Sequence, residues 1–123
     1  MQQKQAIRSY EDLEAFKRAM ALVRPAHDLA GKLPPSERFD LMSQIRRASK
    51  SIPANIAEGY GKRRSARNFK AYLENALGST NEMIVHIQVA ELLRYGPGED
   101  LRQLIESYRV VGKLLTRLIE KWH

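Results

Sequence analysis

The feature of this chain that most restricts its fold is the spacing of its apolar residues. In four successive stretches they recur at steps of three and four, which places their side chains on one face of an α-helix. No stretch combines sustained period-two alternation with β-branched residues, so the sequence predicts no strands. The predicted helices run from Ser9 to Leu33, from Ser36 to the glycines at 59 and 61, from Ser65 to Arg94, and from Pro97 onward.

Helices of this length with short links pack most simply as antiparallel neighbours. The predicted fold class is therefore all-α, an antiparallel up-and-down four-helix bundle. The 123 residues fit one domain, 1–123, in which we expect residues 1–8 to form a disordered tail. Pro25 and Pro53 each remove one backbone hydrogen bond inside a predicted helix, so we expect a bend at both positions.

One apolar face on each helix supplies the expected core. On helix one this face comprises Leu13, Phe16, Met20, Val23 and His27. On helix two it comprises Leu41, Ile45, Ala48, Ile52 and Ile56. On helix three it comprises Phe69, Leu73, Ala76, Thr80, Met83, Ile84 and Ile87, and on helix four Leu101, Leu104, Ile105, Tyr108, Leu115, Ile119 and Trp122.

Helices one and three each carry a second apolar face. On helix three this second face lies opposite the core stripe. On helix one it includes Ala26 and Leu33. A monomer would leave such faces in water, whereas self-association would bury them, so we predict a homo-oligomer. The alternative is that helix offsets fold these residues into the single core. The predicted oligomer interface comprises Leu22, Leu29, Ala71, Gly78, Val85, Val89 and Leu92.

Two runs in helix two form a recognisable motif. Residues 43–48 read Ser-Gln-Ile-Arg-Arg-Ala, and residues 51–59 read Ser-Ile-Pro-Ala-Asn-Ile-Ala-Glu-Gly. With Phe16 upstream and Gly78, Ser79 and Glu82 downstream, the chain resembles the 23S ribosomal RNA intervening-sequence proteins. The resemblance implies a four-helix bundle that assembles into a ring-like homo-oligomer, a pentamer in known members. A related branch contains accessory proteins of diversity-generating retroelements, which bind a reverse transcriptase and nucleic acid.

The motif also has a physical interpretation. Gln44, Ser51, Asn55 and Glu58 line one border of the helix-two core stripe, and a similar polar border on helix three includes Ser79 and Glu82. We expect the two borders to pair through hydrogen bonds at a helix or subunit seam. The predicted structural and assembly motif comprises Gln44, Ser51, Pro53, Asn55, Glu58, Gly59, Ser79 and Glu82.

The net charge of +7 is concentrated in one segment. Residues 46–70 hold eight basic residues against the single acid Glu58, and the rest of the chain is balanced at thirteen of each sign. Clustered Lys and Arg neutralise phosphates, so we predict RNA or DNA binding. Tyr60 and Phe69 are candidates for added stacking on bases, but Phe69 fits the core better. The alternatives are a protein-interaction scaffold, for example for a reverse transcriptase, and a solvated helix face. The predicted nucleic-acid-binding residues are Arg46, Arg47, Lys50, Lys62, Arg63, Arg64, Arg67 and Lys70.

Catalytic patterns are missing from the sequence, so we predict that the protein is not an enzyme. Cysteine is absent, and His27, His86 and His123 are scattered without metal-ligand spacing, so we predict no cofactor and no metal. The run Gly59-Tyr60-Gly61-Lys62 lacks the strand and spacing of a phosphate loop. No apolar stretch is long enough for export or a membrane span, and we expect a cytoplasmic location.

Overall fold

The computed structural model describes residues 6–123, and the predicted tail lies mostly outside them. Within this range the chain forms four α-helices and no strand, as the sequence predicts. The helices are α1 (Glu14–Lys32), α2 (Leu41–Gly61), α3 (Ala66–Leu92) and α4 (Gly98–Lys121). No helix in this range is long and apolar enough to cross a membrane.

Contacts at the two ends of the helices establish their alternating directions. Tyr60, Phe69 and Trp122 meet at one end, where α2 ends, α3 begins and α4 ends. At the other end the Tyr95 hydroxyl, after α3, donates to the Glu37 carboxylate before α2, at 2.8 Å. Each helix packs against the next in the chain, and α1 also packs against α4. This arrangement is an up-and-down bundle around one core.

Two helices begin later than the sequence predicts. Ser9 caps a short 3-10 helix, Tyr10–Asp12, rather than α1 itself. A second 3-10 helix, Pro35–Glu37, occupies the predicted start of α2. Asp40 has φ −130° and ψ −108°, which is not helical, so α2 begins at Leu41. By contrast, the predicted cap of α3 is confirmed, because the Ser65 side chain accepts a hydrogen bond from the Asn68 amide.

Both internal prolines lie within continuous helices, Pro25 in α1 and Pro53 in α2. Near Pro25, the Tyr108 hydroxyl donates to the carbonyl of Leu22 at 3.4 Å. Burial raises the pKa of Tyr108 above its usual value. The interior phenol therefore stays neutral and can donate to the α1 backbone.

The predicted core faces of α2 and α3 are confirmed, except that Ile84 is half-buried. The predicted core face of helix one is confirmed for Leu13, which is buried, but not for the rest, since Met20 is 50% exposed while Phe16 and Val23 are half-buried. Small residues bring α1 close to the core instead. The buried α1 residues are Ala15, Ala19, Ala26, Leu29 and Ala30.

Because α1 packs its alanines against the core, its larger apolar side chains lie nearer the surface. There they line an apolar groove between α1 and α2, with a volume of about 360 Å³. We call it the α1–α2 groove. Its apolar walls are Phe16, Met20 and Val23 of α1 together with Pro53, Ala54 and Ala57 of α2.

Burial also decides which part of the second apolar face is available to a partner. Leu29 is buried and Leu22 is half-buried against the core, so the expectation that they face outward on α1 is wrong. On α3 the expectation holds for four residues spaced seven apart, all of which are exposed, but not for Val89, which is half-buried against the core. Val85 is 53% exposed and Leu92 is 80% exposed. We call these four residues the α3 ridge: Ala71, Gly78, Val85 and Leu92.

Candidate nucleic-acid interface

A tight connection between α2 and α3 gathers the basic side chains. The Lys62 amide donates to the Gly59 carbonyl at 2.9 Å, and the Ser65 amide donates to the Lys62 carbonyl at 3.2 Å. Ser65 then caps α3, so only four residues separate the two helices. Five of the predicted binding residues lie on this turn and the start of α3. We call them the 62–70 cluster: Lys62, Arg63, Arg64, Arg67 and Lys70.

The 62–70 cluster has little acidic compensation. Four of its side chains are exposed and Lys70 is half-buried. None of the four ion pairs among residues 6–123 involves the cluster. The first turn of α3 carries no acid either, although the positive end of a helix dipole favours one. Positive charge and free backbone amides therefore coincide here, an arrangement that attracts anions.

Two of the cations rest on tyrosine rings. The Arg63 guanidinium lies 4.2 Å from the Tyr60 ring centroid, and its Nη1 donates to the Tyr60 carbonyl at 3.1 Å. The Lys62 Nζ lies 4.8 Å from the Tyr72 centroid and donates to the Tyr72 hydroxyl at 2.7 Å. This hydrogen bond, together with the electrostatic interaction with Tyr72, raises the pKa of the Lys62 amino group above its usual value. Both contacts hold charged groups at defined places on the surface.

The Tyr60 ring beneath Arg63 belongs to an aromatic cluster with Phe69 and Trp122. The Phe69 and Trp122 rings meet edge to face with centroids 4.6 Å apart, and the Tyr60 ring lies 6.0 Å from Phe69. Phe69 is fully buried and Tyr60 is 7% exposed. The core position expected for Phe69 is therefore confirmed, and the buried Tyr60 ring is not open to stack on bases. Tyr72, which sequence reasoning missed, is the half-buried ring beside the cluster.

Gly59 allows the close approach of α2 and α3 beneath the cluster. A Cβ at this position would lie 2.5 Å from the Tyr72 Cβ and 3.1 Å from the Phe69 Cδ1. The 2.5 Å distance to the Tyr72 Cβ is too short for any side-chain carbon, because that Cβ can move only with the backbone. The sequence predicts that α2 ends at the glycines 59 and 61, and it ends at Gly61, but Gly59 lies inside its last turn without a positive φ. The glycine is required for space rather than for backbone freedom.

The remaining predicted cations lie elsewhere. Arg47 lies on α2, fifteen residues before Lys62 at the C-cap of that helix, a separation of about 22 Å at 1.5 Å per residue. Lys50 lines the α1–α2 groove, whereas Arg47 faces a depression toward α3, and Arg46 is half-buried. The structure therefore divides the predicted eight-residue patch, and only the 62–70 cluster is a compact group.

The two polar borders meet at the seam between α2 and α3. The Ser51 and Ser79 hydroxyls lie 2.9 Å apart, and the Asn55 amide donates to the Ser51 carbonyl at 2.9 Å and to its hydroxyl at 3.0 Å. Gln44 and Glu82 line a shallow depression along the same seam. Glu58 is exposed, and Pro53 is buried in the floor of the α1–α2 groove.

The three histidines lie in different surroundings. His86 lies 3.2 Å from the Glu82 carboxylate, and His123 is exposed after α4. The Nε2 of His27 is buried without a hydrogen-bond partner. Across residues 6–123, no group of three or more His, Cys, Asp or Glu side chains is arranged to hold a metal.

Comparison with protein-family models identifies the family of the chain. The model described as 23S rRNA-intervening sequence protein matches residues 11–117, from the first 3-10 helix to the last turns of α4. The chain belongs to this family. The match spans all the motif residues and the whole 62–70 cluster. A search of curated proteins found no match.

Proposed function

We propose that this member of the 23S rRNA-intervening sequence family is a non-catalytic protein that binds the phosphate backbone of nucleic acid through the 62–70 cluster. The observation that carries the proposal is the concentration of five basic residues within nine positions, at a helix start without acids. Phosphates gain both from the cations and from the amides at the start of α3. We include a cytoplasmic location and assembly into a homo-oligomer in this proposal.

The surroundings of the cluster favour phosphates over bases as the contacted groups. Tyr60 is buried, and Lys62 lies over the Tyr72 ring, so neither face is open for stacking without rearrangement. Contacts to phosphates carry no sequence information, so binding is expected to be non-specific. In a homo-oligomer several copies of the cluster would act on one strand, which raises the overall affinity.

A salt titration tests the proposal. We would measure fluorescence anisotropy of labelled RNA, single-stranded DNA and duplex DNA across a salt series; the family description refers to ribosomal RNA, so RNA comes first. The test variant is R64E/R67E and the matched control is K32E/R38E, whose residues are also exposed but lie near the other end. Each pair lowers the net charge from +7 to +3, because each reversal removes two charges.

We expect R64E/R67E to weaken binding at least tenfold and to lower the salt slope on duplex DNA by about 2, at roughly 0.9 per phosphate contact. K32E/R38E should bind nearly as well as the unaltered protein. Equal loss in both pairs would mean that net charge alone drives binding and would overturn the site. Absence of binding at low salt would overturn the function.

A protein-interaction scaffold, such as an accessory subunit of a reverse transcriptase, is the second candidate. It is favoured by Phe39, which is 89% exposed with the Arg38 guanidinium 5.2 Å from its ring centroid. Exposed aromatic and arginine side chains are typical anchors of protein interfaces. Absence of nucleic-acid binding together with capture of an acidic protein partner, lost in F39A, would support this candidate instead.

A further inference from the structure

A pocket lies between α1 and α4, at the end of the bundle opposite the 62–70 cluster. We call it the α1–α4 pocket. Its volume is about 400 Å³, which is within the range of small-molecule sites in proteins. Three segments enclose it: one face of α1, the turn from Tyr95 to Pro97, and the first turns of α4. The apolar residues of its lining, which offer contact to the apolar body of a ligand, are Leu22, Pro25, Leu29, Pro97, Leu101 and Leu104.

The polar groups that line the α1–α4 pocket are mostly hydrogen-bond acceptors. The carboxylates of Asp28 and Asp100 belong to its two helical walls, α1 and α4. The Tyr95 hydroxyl donates to a carboxylate before α2 at 2.8 Å, and the Ser107 hydroxyl donates to the carbonyl one turn earlier at 3.1 Å. With its proton used in this way, each hydroxyl oxygen can accept a further hydrogen bond but cannot donate one.

Pro25 adds another acceptor on the α1 wall. Proline has no amide hydrogen, so the Ala21 carbonyl lacks the donor that an ordinary helix supplies at position 25. The side-chain donors in the lining are the Lys32 ammonium and the Gln103 amide, and both side chains are exposed. A ligand with several N–H donors therefore matches the pocket better than a ligand with acceptors.

The charges of the lining favour a cation. Asp28 and Asp100 take part in none of the ion pairs among residues 6–123. Lys32 is the one cation of the lining, and it forms no ion pair with Asp28 although it lies four residues later on α1. Two acids against one base give the lining a net charge of −1, in a protein whose net charge is +7.

The other charges on these three segments lie outside the lining. Arg102 is paired with Glu91, and Glu106 is paired with Arg109. The charges that remain are one acid and two bases: Glu99, Arg24 and Arg94. Because electrostatic energy falls with distance, the carboxylates of the lining act most strongly on a group inside the pocket.

We propose that the α1–α4 pocket binds a small organic cation, an amine with an apolar body, whose ammonium group is held by Asp28 and Asp100. The apolar body packs on the leucines of α1 and α4, and the Ser107 oxygen accepts a further hydrogen bond from the ammonium group. The pocket shares no residue with the 62–70 cluster. Binding of the amine is therefore independent of the proposed binding of nucleic acid.

The test uses three compounds that carry different groups on one naphthalene ring. Naphthylethylamine is a cation, naphthylethanol is neutral, and naphthylacetate is an anion. Isothermal titration calorimetry at low salt measures the affinity of each for the full chain. The test variant is D28N/D100N and the matched control is E99Q/E106Q. Each pair raises the net charge from +7 to +9, and each removes one acid from the first turn of α4.

We expect the unaltered protein to bind naphthylethylamine roughly tenfold more tightly than naphthylethanol, because two partly exposed ion pairs add to the contacts of the ring. Naphthylacetate should bind more weakly than either. D28N/D100N should lose this preference for the amine and keep its affinity for the alcohol. E99Q/E106Q should bind all three compounds as the unaltered protein does.

A second pair of variants locates the bound ring. Ser107→Phe places a ring inside the α1–α4 pocket and should abolish binding of both the amine and the alcohol. Val110→Phe is the control, because Val110 is also on α4 and is 39% exposed but does not line the pocket. Circular dichroism confirms that both variants retain their helices, and the asparagine variant tests the proposal without any change of core packing.

Several outcomes would overturn the inference. Equal affinities for the amine and the alcohol would make the pocket an apolar cavity without a cation site. Preference for naphthylacetate would mean that Lys32 selects an anion. An equal loss of amine binding in E99Q/E106Q would show that net charge, rather than the lining carboxylates, attracts the cation. Unchanged binding in a folded Ser107→Phe would place the ring elsewhere, and absence of binding by all three compounds would remove the site.

Discussion

The two ends of the bundle differ in charge although they are built from the same four helices. One end, formed by residues 6–22, 52–79 and 111–123, holds eleven basic and six acidic residues. The other, formed by residues 23–51 and 80–110, holds nine basic and eight acidic residues. We call them the basic end and the balanced end. The net charge of the protein is therefore located mainly at one end of the bundle.

The ends also differ in the acids at their helix starts and in the ion pairs of their charged side chains. At the balanced end α4 begins with Glu99 and Asp100, which suit the helix dipole, and Arg102 pairs with Glu91 at 2.7 Å. At the basic end α3 begins without acids and carries Arg67. At the balanced end α2 also has no acid in its first turn, but its N-cap residue is Asp40, so α3 is the helix that has an acid at neither place. The basic end therefore carries positive charge that neither ion pairs nor acids at the start of α3 offset.

The largest difference between the ends is expected from one pair of phenylalanines. Phe69 at the basic end is fully buried, while Phe39 at the balanced end is 89% exposed. F69A should lower the free energy of unfolding by about 3–5 kcal/mol, because it leaves a cavity in the aromatic cluster. F39A should change it by less than about 0.5 kcal/mol. Urea unfolding followed by circular dichroism measures both, and similar losses would contradict the distinction.

Two glycines two positions apart test the close approach at the basic end. Gly59→Ala should lower the free energy of unfolding by about 1–3 kcal/mol, because its Cβ would overlap the Tyr72 Cβ. No atom of residues 6–123 lies within 4 Å of a Cβ at Gly61, so Gly61→Ala should be neutral or slightly stabilising. If the two variants unfolded at the same urea concentration, the steric role of Gly59 would be refuted.

A smaller effect is expected midway between the ends, where the seam is common to both. S51A removes the hydroxyl shared with Ser79 and Asn55, and should cost about 1 kcal/mol. S79A should cost a similar amount, and the double variant less than the sum, because the two hydroxyls are mutual partners. A double-mutant cycle by urea unfolding measures the coupling; strictly additive losses would show that Ser51 and Ser79 act independently.

The core was predictable from the sequence for α2, which has one apolar face, and for α3, whose buried face carries the larger apolar side chains. The core stripe of α2 and the Ser65 cap of α3 follow from spacing and side-chain chemistry alone. In α1 both faces are apolar, and the larger Phe16 and Met20 were assigned to the core. The structure buries alanines there instead, because small side chains let α1 approach its neighbours closely. Periodicity cannot rank two apolar faces when the close contact is made by the smaller one.

The candidate site was predictable only in part, for a geometric reason. Residues 46–70 are one basic segment in sequence, but α2 extends most of its length between Arg47 and Lys62 and separates the two groups. The role of Gly59 depends on Tyr72, thirteen positions away, which no local pattern identifies. Distances across the α2–α3 pair, rather than residue types, define the compact cluster.

The smallest effect on stability is expected at the two helix starts, and it distinguishes stability from function. R67E places an acid in the first turn of α3 and should raise the free energy of unfolding by about 0.3–1 kcal/mol. E99K should lower it by a similar amount, because it removes an acid from the first turn of α4. Urea unfolding at low salt measures both changes.

Nucleic-acid binding should respond with the opposite sign in the first case. R67E is expected to weaken binding severalfold and to lower the salt slope on duplex DNA by about 0.9, because one phosphate contact is lost. E99K should not weaken binding, since Glu99 lies at the balanced end. A variant that is more stable but binds less well would mean that Arg67 is kept at an unfavourable helix start for its contact with a ligand. If R67E gained stability without losing affinity, the basic end would be only a solvated surface.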